Sequence, residues 1–90
     1  MSKPSYSISK TKKYVKAFRK LPADVQTRID KSINSDLVPN PYKYNLLKGP
    51  YAKLGIHKFR VDDYRIEYMI EEPQRLIKLL LVFHRSEGYR

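Results

Sequence analysis

Asp63-Tyr64-Arg65-Ile66-Glu67-Tyr68-Met69-Ile70, then the turn Glu71-Glu72-Pro73-Gln74, then Leu76 to Phe83: the periodicity of this stretch decides the fold. Tyr64, Ile66, Tyr68 and Ile70 alternate with Arg65, Glu67 and Met69. Successive strand side chains point to opposite faces, so this segment has one apolar and one polar face. The acidic, proline-bearing turn links it to a second strand. There, Leu79-Leu80-Leu81-Val82-Phe83 is apolar without alternation, which marks a central strand covered on both faces. Upstream, Leu54 to Val61 reads as a third strand, joined to the first through the short Val61-Asp62-Asp63-Tyr64 link. Such links predict a three-stranded antiparallel meander.

Further toward the N-terminus the period becomes helical. Tyr14, Ala17, Phe18 and Leu21 fall at i, i+3, i+4 and i+7 and make one apolar stripe, with Lys12, Lys13, Lys16, Arg19 and Lys20 on the remaining faces. Ser9 or Thr11 offers the N-cap hydroxyl. Leu21-Pro22 ends this helix, because proline cannot continue a helix from its interior but suits the first turn of the next. Val25, Ile29, Ile33 and Leu37 then recur every four residues, with Asp24 near the new N-terminus, where a carboxylate complements the helix dipole. The two helices read as an antiparallel hairpin. Val38-Pro39-Asn40-Pro41-Tyr42 is a loop and Leu46-Leu47-Lys48-Gly49-Pro50 a second breaker. Tyr6 and Ile8 alternate with serines, a weak signal for a short first strand. The order is β-α-α-β-β-β, a two-layer α+β fold with a helical hairpin on a small antiparallel sheet. The helices cover one face of the sheet and leave the other for a groove or a partner.

Ninety residues make one domain, 1–90, with a modest core. Hydrophobic residues at 41% and aromatic residues at 12% exclude a disordered tail. The net charge of +10 attracts polyanions, either nucleic acid or an acidic protein. Residues 1–45 carry ten basic and three acidic side chains against nine and six in 46–90, so positive charge is densest over the first helix. The absence of cysteine excludes disulfide, thiol and cysteine–zinc chemistry. The N-terminal residues lack the apolar stretch of a secretory signal, and the longest apolar run, Leu79 to Phe83, is too short to span a membrane. These features predict a soluble, cytoplasmic protein. The glycines Gly49, Gly55 and Gly88 are isolated, so no phosphate loop exists, and His57 and His84 have no ligand-spaced acidic partners. Neither a nucleotide cofactor nor a metal is expected.

The candidate chemistry lies on the strands. Lys58 and Arg60 alternate with His57, Phe59 and Val61, and Arg65 opposes the core set of its own strand, so the three cations can meet across the hairpin. Such a cluster holds a phosphate; the competing arrangement is a cross-strand ion-pair lattice with Glu67, Asp62 and Asp63. His84, at a strand end beside Arg85, adds a side chain that titrates near neutrality, and Tyr89 follows. With RNA the neighbouring 2′-hydroxyl supplies the nucleophile, so neither metal nor covalent enzyme intermediate is needed.

Leu47-Lys48-Gly49 before the sheet, Asp63-Tyr64-Arg65-Ile66-x-Tyr68 and His84-Arg85-x-x-x-Tyr89 together resemble the RelE/ParE superfamily of bacterial and archaeal toxins, over nearly the whole chain from Tyr6 to Tyr89. The resemblance implies a microbial-RNase-like α+β fold and a type II toxin that cleaves mRNA in the ribosomal A site. It also implies a cognate RelB-like antitoxin, with the ribosome and mRNA as further partners. Carried over, Arg65 binds the scissile phosphate and Lys58 stabilises transition-state charge. Arg85 contacts phosphate, Tyr89 stacks on or orients a base, and His84 stands where several relatives keep an acid or base. A second strand lysine of the best-known member is replaced here by Ile56, with Arg60 or His57 as stand-ins. Arg60, Lys48, Lys53, Lys10, Lys12, Lys13 and Lys16 are the expected RNA-backbone contacts. A ParE-like member that poisons gyrase, or an inert binding module of the same fold, is the alternative.

Overall fold

The computed structural model describes residues 6–44, 46 and 54–87. Strand β1 (Ser7–Lys10) leads into helices α1 (Lys12–Arg19) and α2 (Ala23–Ser32), followed by strands β2 (His57–Val61), β3 (Tyr64–Glu71) and β4 (Leu76–His84). The strand order is β1-β4-β3-β2, so the expected meander is present and β1 extends it to four strands, pairing parallel with β4. The helices lie on this sheet as one layer on another. Among the described residues no helix is long and apolar enough to cross a membrane.

Local chemistry explains the boundaries. Thr11 caps α1: its hydroxyl accepts from the Tyr14 N–H at 3.1 Å and donates to the Leu80 carbonyl at 2.9 Å. One side chain thus satisfies a helix donor and pins the helix start to β4. Pro22 stands at the N-cap of α2, one residue before the first helical position. The Gln26 amide donates to the Leu21 carbonyl at 2.9 Å, closing the connection between the helices.

Beyond Ser32 the helix widens into a π turn over Ile33–Leu37, closed by the Val38 N–H to the Ile33 carbonyl at 2.9 Å. Each step of four overshoots a 3.6-residue turn by about 40°. Three such steps in a regular helix would carry Leu37 about a third of a turn away from Val25. The wider turn reverses that drift, and Val25, Ile29, Ile33 and Leu37 are all buried.

β2 begins at His57, three residues later than the alternation predicts. Gly55 adopts φ +71°, a left-handed conformation that breaks an extended run and suits glycine. Asp62, at φ 53°, makes the tight β2–β3 turn, which short polar side chains tolerate better than branched ones.

The core lies between the helices and one face of the sheet. Tyr14, Val25, Ile29, Ile33 and Leu37 meet Phe59, Val61, Ile66, Tyr68, Ile77, Leu79 and Val82. The Tyr14 ring stacks on Phe18 with centroids 5.7 Å apart, while its buried hydroxyl finds no partner among the described residues. β4 is central, as expected, but only one of its faces is covered by the helices. On the outer face Leu81 and Phe83 remain half-buried. A register shift explains how β4 serves both. Glu67 pairs with Leu81 and Tyr68 with Leu79, so Leu80 is the extra residue of a β-bulge. Inward positions are odd-numbered before it (Ile77, Leu79) and even-numbered after it (Val82).

Candidate nucleic-acid interface

The outward face of the sheet follows from the register. Lys58 stands opposite Glu67 and Arg60 opposite Arg65 across β2 and β3; Arg65 stands opposite Phe83 and Glu67 opposite Leu81 across β3 and β4. Directly opposed residues share a face. Since His57, Phe59, Val61, Ile66 and Tyr68 are buried toward the helices, Lys58, Arg60, Arg65 and Glu67 point away from them. Three of the cations anticipated from the sequence therefore stand together, bordered by the half-buried Leu81 and Phe83.

This cluster is not an ion-pair lattice. Asp62 pairs with Arg28 of α2 at 3.2 Å, and Asp63 lies 3.7 Å from Arg85. The turn acids are thus drawn to other cations. Among the described residues, Lys58 and Arg60 have no carboxylate within ion-pair distance, and Arg65 makes only a 3.5 Å contact to the Tyr64 carbonyl. Three positive charges on neighbouring positions without matched acids repel one another, and an anion relieves that repulsion.

Glu67 is the carboxylate of this face. Burial pushes its pKa above the ordinary glutamate range, while the positive fields of Lys58 and Lys13 pull the other way. Lys13, at the start of α1, is thus a helix lysine whose positive field reaches Glu67. Lys12 and Lys16 are exposed elsewhere on α1, and the Lys10 ammonium sits 5.9 Å from the centre of the Phe18 ring.

His84 is placed differently. It pairs with Tyr64, so it shares the helix-side face and not that of Arg65. The two rings meet edge to face at 5.2 Å. The Ser86 N–H donates to His84 Nδ1 at 3.2 Å and the Ser86 hydroxyl lies 2.8 Å from the same nitrogen. Nδ1 is therefore an acceptor, which leaves the ring proton on Nε2. Around this histidine Ala17, Lys20, Leu21, Tyr64, Val82, Ser86 and Glu87 line an open cleft of about 470 Å³. Arg85 follows in a short 3-10 turn; its N–H donates to the Asp63 carbonyl at 2.7 Å, and its exposed guanidinium faces the Asp63 carboxylate. Arg65 and His84 thus stand on opposite faces of the sheet. Tyr89, Lys48 and Lys53 lie outside the described residues.

His57, a stand-in for the missing strand lysine, is corrected by its surroundings. It is buried on the helix side, stacked on Tyr68 at 5.1 Å, with Nδ1 donating to the Tyr44 carbonyl at 2.8 Å. A carbonyl accepts only from a protonated nitrogen, so this histidine buttresses the core. The sequence marks Glu67 only as a salt-bridge partner; the pairing of β2 with β3 adds its position opposite Lys58. Among the described residues no cluster of His, Asp and Glu has metal-ligand geometry.

A chain of the Mycobacterium tuberculosis RelBE2 toxin–antitoxin complex superimposes with a TM-score of 0.82 at 24% identity, covering 91% of this chain and 100% of that one. A chain of the intact E. coli RelBE complex gives 0.75 at 18% identity, covering 94% and 99%. A chain of the archaeal RelE–RelB complex from Pyrococcus horikoshii gives 0.64 at 23% identity, covering 92% and 98%. No match was found among curated proteins. Residues 8–90 match the family described as ParE-like toxin of type II bacterial toxin–antitoxin system. The chain has the RelE-type fold and belongs to the ParE-like toxin family of type II bacterial toxin–antitoxin systems.

Proposed function

We propose that this chain is a RelE-like toxin that cleaves mRNA in the ribosomal A site without a metal ion. The observation that carries the reading is the trio Lys58, Arg60 and Arg65 on one solvent-facing patch, without ion-paired acids among the described residues. Arg65 and Arg60 hold the scissile phosphate and Lys58 stabilises the charge that builds on it. The substrate 2′-oxygen attacks phosphorus and its proton passes to the Glu67 carboxylate. The bond from phosphorus to the 5′-oxygen breaks, and that oxygen takes a proton from the neighbouring Lys58 ammonium. The products are a 2′,3′-cyclic phosphate and a free 5′-hydroxyl. A glutamate across the strand pair from Lys58, its pKa raised by burial, suits the role of base.

The resemblance adds Tyr89 as the ring that orients a base. Arg85 joins the phosphate only by leaving Asp63, an exposed contact of small energetic weight. His84 contributes from the other side of the sheet, where its cleft suits a contact to the ribosome better than a proton transfer at the bond that Arg65 holds. Lys10, Lys12, Lys13 and Lys16 meet ribosomal RNA through its backbone, and the resemblance adds Lys48 and Lys53 as further RNA contacts. In the cytoplasm a RelB-like antitoxin, acidic and partly disordered before binding, covers the outward face and its half-buried Leu81 and Phe83. The similar chains from M. tuberculosis, E. coli and P. horikoshii come from structures of the RelBE2, RelBE and RelE–RelB complexes.

Inducing the chain in a bacterial host and mapping new mRNA 5′ ends tests the reading: codon-phased cuts are expected. The family description favours a second reading, poisoning of DNA gyrase. Gyrase–DNA adducts with intact messages would establish it and overturn the nuclease.

A further inference from the structure

Beyond the edge of β2 the positive surface continues. Lys43 and Tyr44, from the 3-10 turn Pro41–Lys43 and the residue after it, join Lys58 and Arg60 around a shallow cleft of about 270 Å³. Among the described residues no carboxylate lines it. The Tyr44 ring meets the buried Phe59 edge to face at 4.8 Å and its hydroxyl donates to the Asp36 carbonyl at 3.5 Å, while its backbone carbonyl accepts from His57 Nδ1 at 2.8 Å. The Lys43 ammonium lies over that ring, 5.8 Å from its centre. A long, exposed lysine is normally free to wander; here a cation–π contact to an immobile ring limits its range, so less entropy is lost when it meets an anion.

Arg65 stands across from Arg60, and Arg60 and Lys58 share the cleft with Lys43, so positive side chains continue from β3 over β2 and past the sheet edge. One phosphate is satisfied by the two or three cations at the centre. A row that runs on past them matches a polymer of phosphates. Resting on the nuclease reading above, the geometry points to the Lys43 cleft as a second subsite, which grips a non-reacting phosphate of the same RNA strand on the β2 side of the scissile bond. Tyr44 is a positioning residue: it acts by holding Lys43.

Binding of non-cleavable, 2′-O-methylated RNA to the full chain, measured by fluorescence anisotropy over a range of salt, tests this. One ligand is a dinucleotide with a single phosphate and the other an oligonucleotide with several. For the longer strand, Lys43→Ala should reduce the slope of log affinity against log salt by about 0.7, the loss of one phosphate contact on single-stranded nucleic acid. The dinucleotide should bind with an unchanged slope. Lys31→Ala, which removes an exposed charge from α2, is the control for net charge and should leave both slopes alone. Tyr44→Leu should reproduce the Lys43→Ala loss, add nothing to it in the double variant, and be rescued by Tyr44→Phe, which keeps the ring.

If Lys43→Ala tracks Lys31→Ala, or lowers both ligands equally, the subsite is wrong. That result leaves the nuclease reading standing as long as Arg65→Ala still lowers cleavage by about 100- to 1,000-fold. The slope change with intact messages in the cell would retain the RNA-holding row and remove the nuclease.

Discussion

The two faces of this sheet solve opposite problems with strands in common. On the helix side, Phe59, Ile66, Tyr68, Ile77, Leu79 and Val82 are nearly or completely withdrawn from water and interlock with five residues of the helical layer. On the outward side the intervening residues of β2, β3 and β4 are charged or half-buried, and like charges stand next to one another. The first face stabilises the fold through buried apolar area. The second contributes little to stability and accepts electrostatic repulsion. Stability and ligand binding can therefore be altered separately, because alternation along each strand assigns neighbours to different tasks.

The largest expected effect breaks chemistry and leaves the fold. Glu67→Gln should lower the rate of message cleavage by about 100- to 10,000-fold, as removal of a general base does. Its thermal melt should be at least that of wild type. The raised pKa of Glu67 means that its ionisation opposes folding; its stabilising influence is complete below the ordinary glutamate value and is lost as pH rises through the raised one. The cleavage rate should rise over that same window as the carboxylate forms. A Gln variant with wild-type cleavage would remove Glu67 from the mechanism.

Arg65→Ala should cost about 100- to 1,000-fold in cleavage with an unchanged melting temperature, the signature of a lost charge-stabilising contact. A parallel loss of stability would mean that the faces are not separable. Ile29→Ala attacks the other side. Emptying a fully buried site should destabilise by about 2–5 kcal/mol in a denaturant titration, without altering RNA affinity per folded molecule.

His84→Ala sharpens the comparison. With its ring on the helix-side face, it should change cleavage of an accessible RNA by less than about tenfold, below the range for loss of an acid or base. A larger loss, with the neutral limb of the pH profile abolished, would bring His84 to the scissile bond after all. The smallest effect is that of Tyr14→Phe. Its hydroxyl is buried without a partner among the described residues, and burial raises its pKa, so deleting it should leave stability unchanged or slightly higher.

Most of the architecture could be read from the chain because its periods are unambiguous. Tyr14 to Leu21 admits only a helix with one apolar stripe, and the alternation from Tyr64 to Ile70 sorts inward from outward without tertiary information. The parity of β4 could not be read. Its run of leucines supplies apolar side chains in either phase, and the bulge at Leu80 exchanges the phases midway. A reader of the chain cannot tell that His84 follows Val82 to the helix side while Phe83 joins Arg65. The late start of β2 was also hidden, since Leu54 and Ile56 fit a strand and only the left-handed backbone at Gly55 prevents one. Pairing partners decided the rest: Glu67 gains its meaning from Lys58, which lies nine positions away in the chain and directly across from it in the sheet.

The central strand is also the last of the four in chain order. β1 touches the rest of the sheet only through β4, and the Thr11 cap of the first helix closes on β4 carbonyl groups. Until that strand has been synthesised, the β2–β3 hairpin has no neighbour to join it to the N-terminal strand, and the apolar helix stripe has no platform. Contacts between distant parts of the chain must then form late and together. In such an assembly the outward cations of β2 and β3 take up fixed places only when β4 docks beside them.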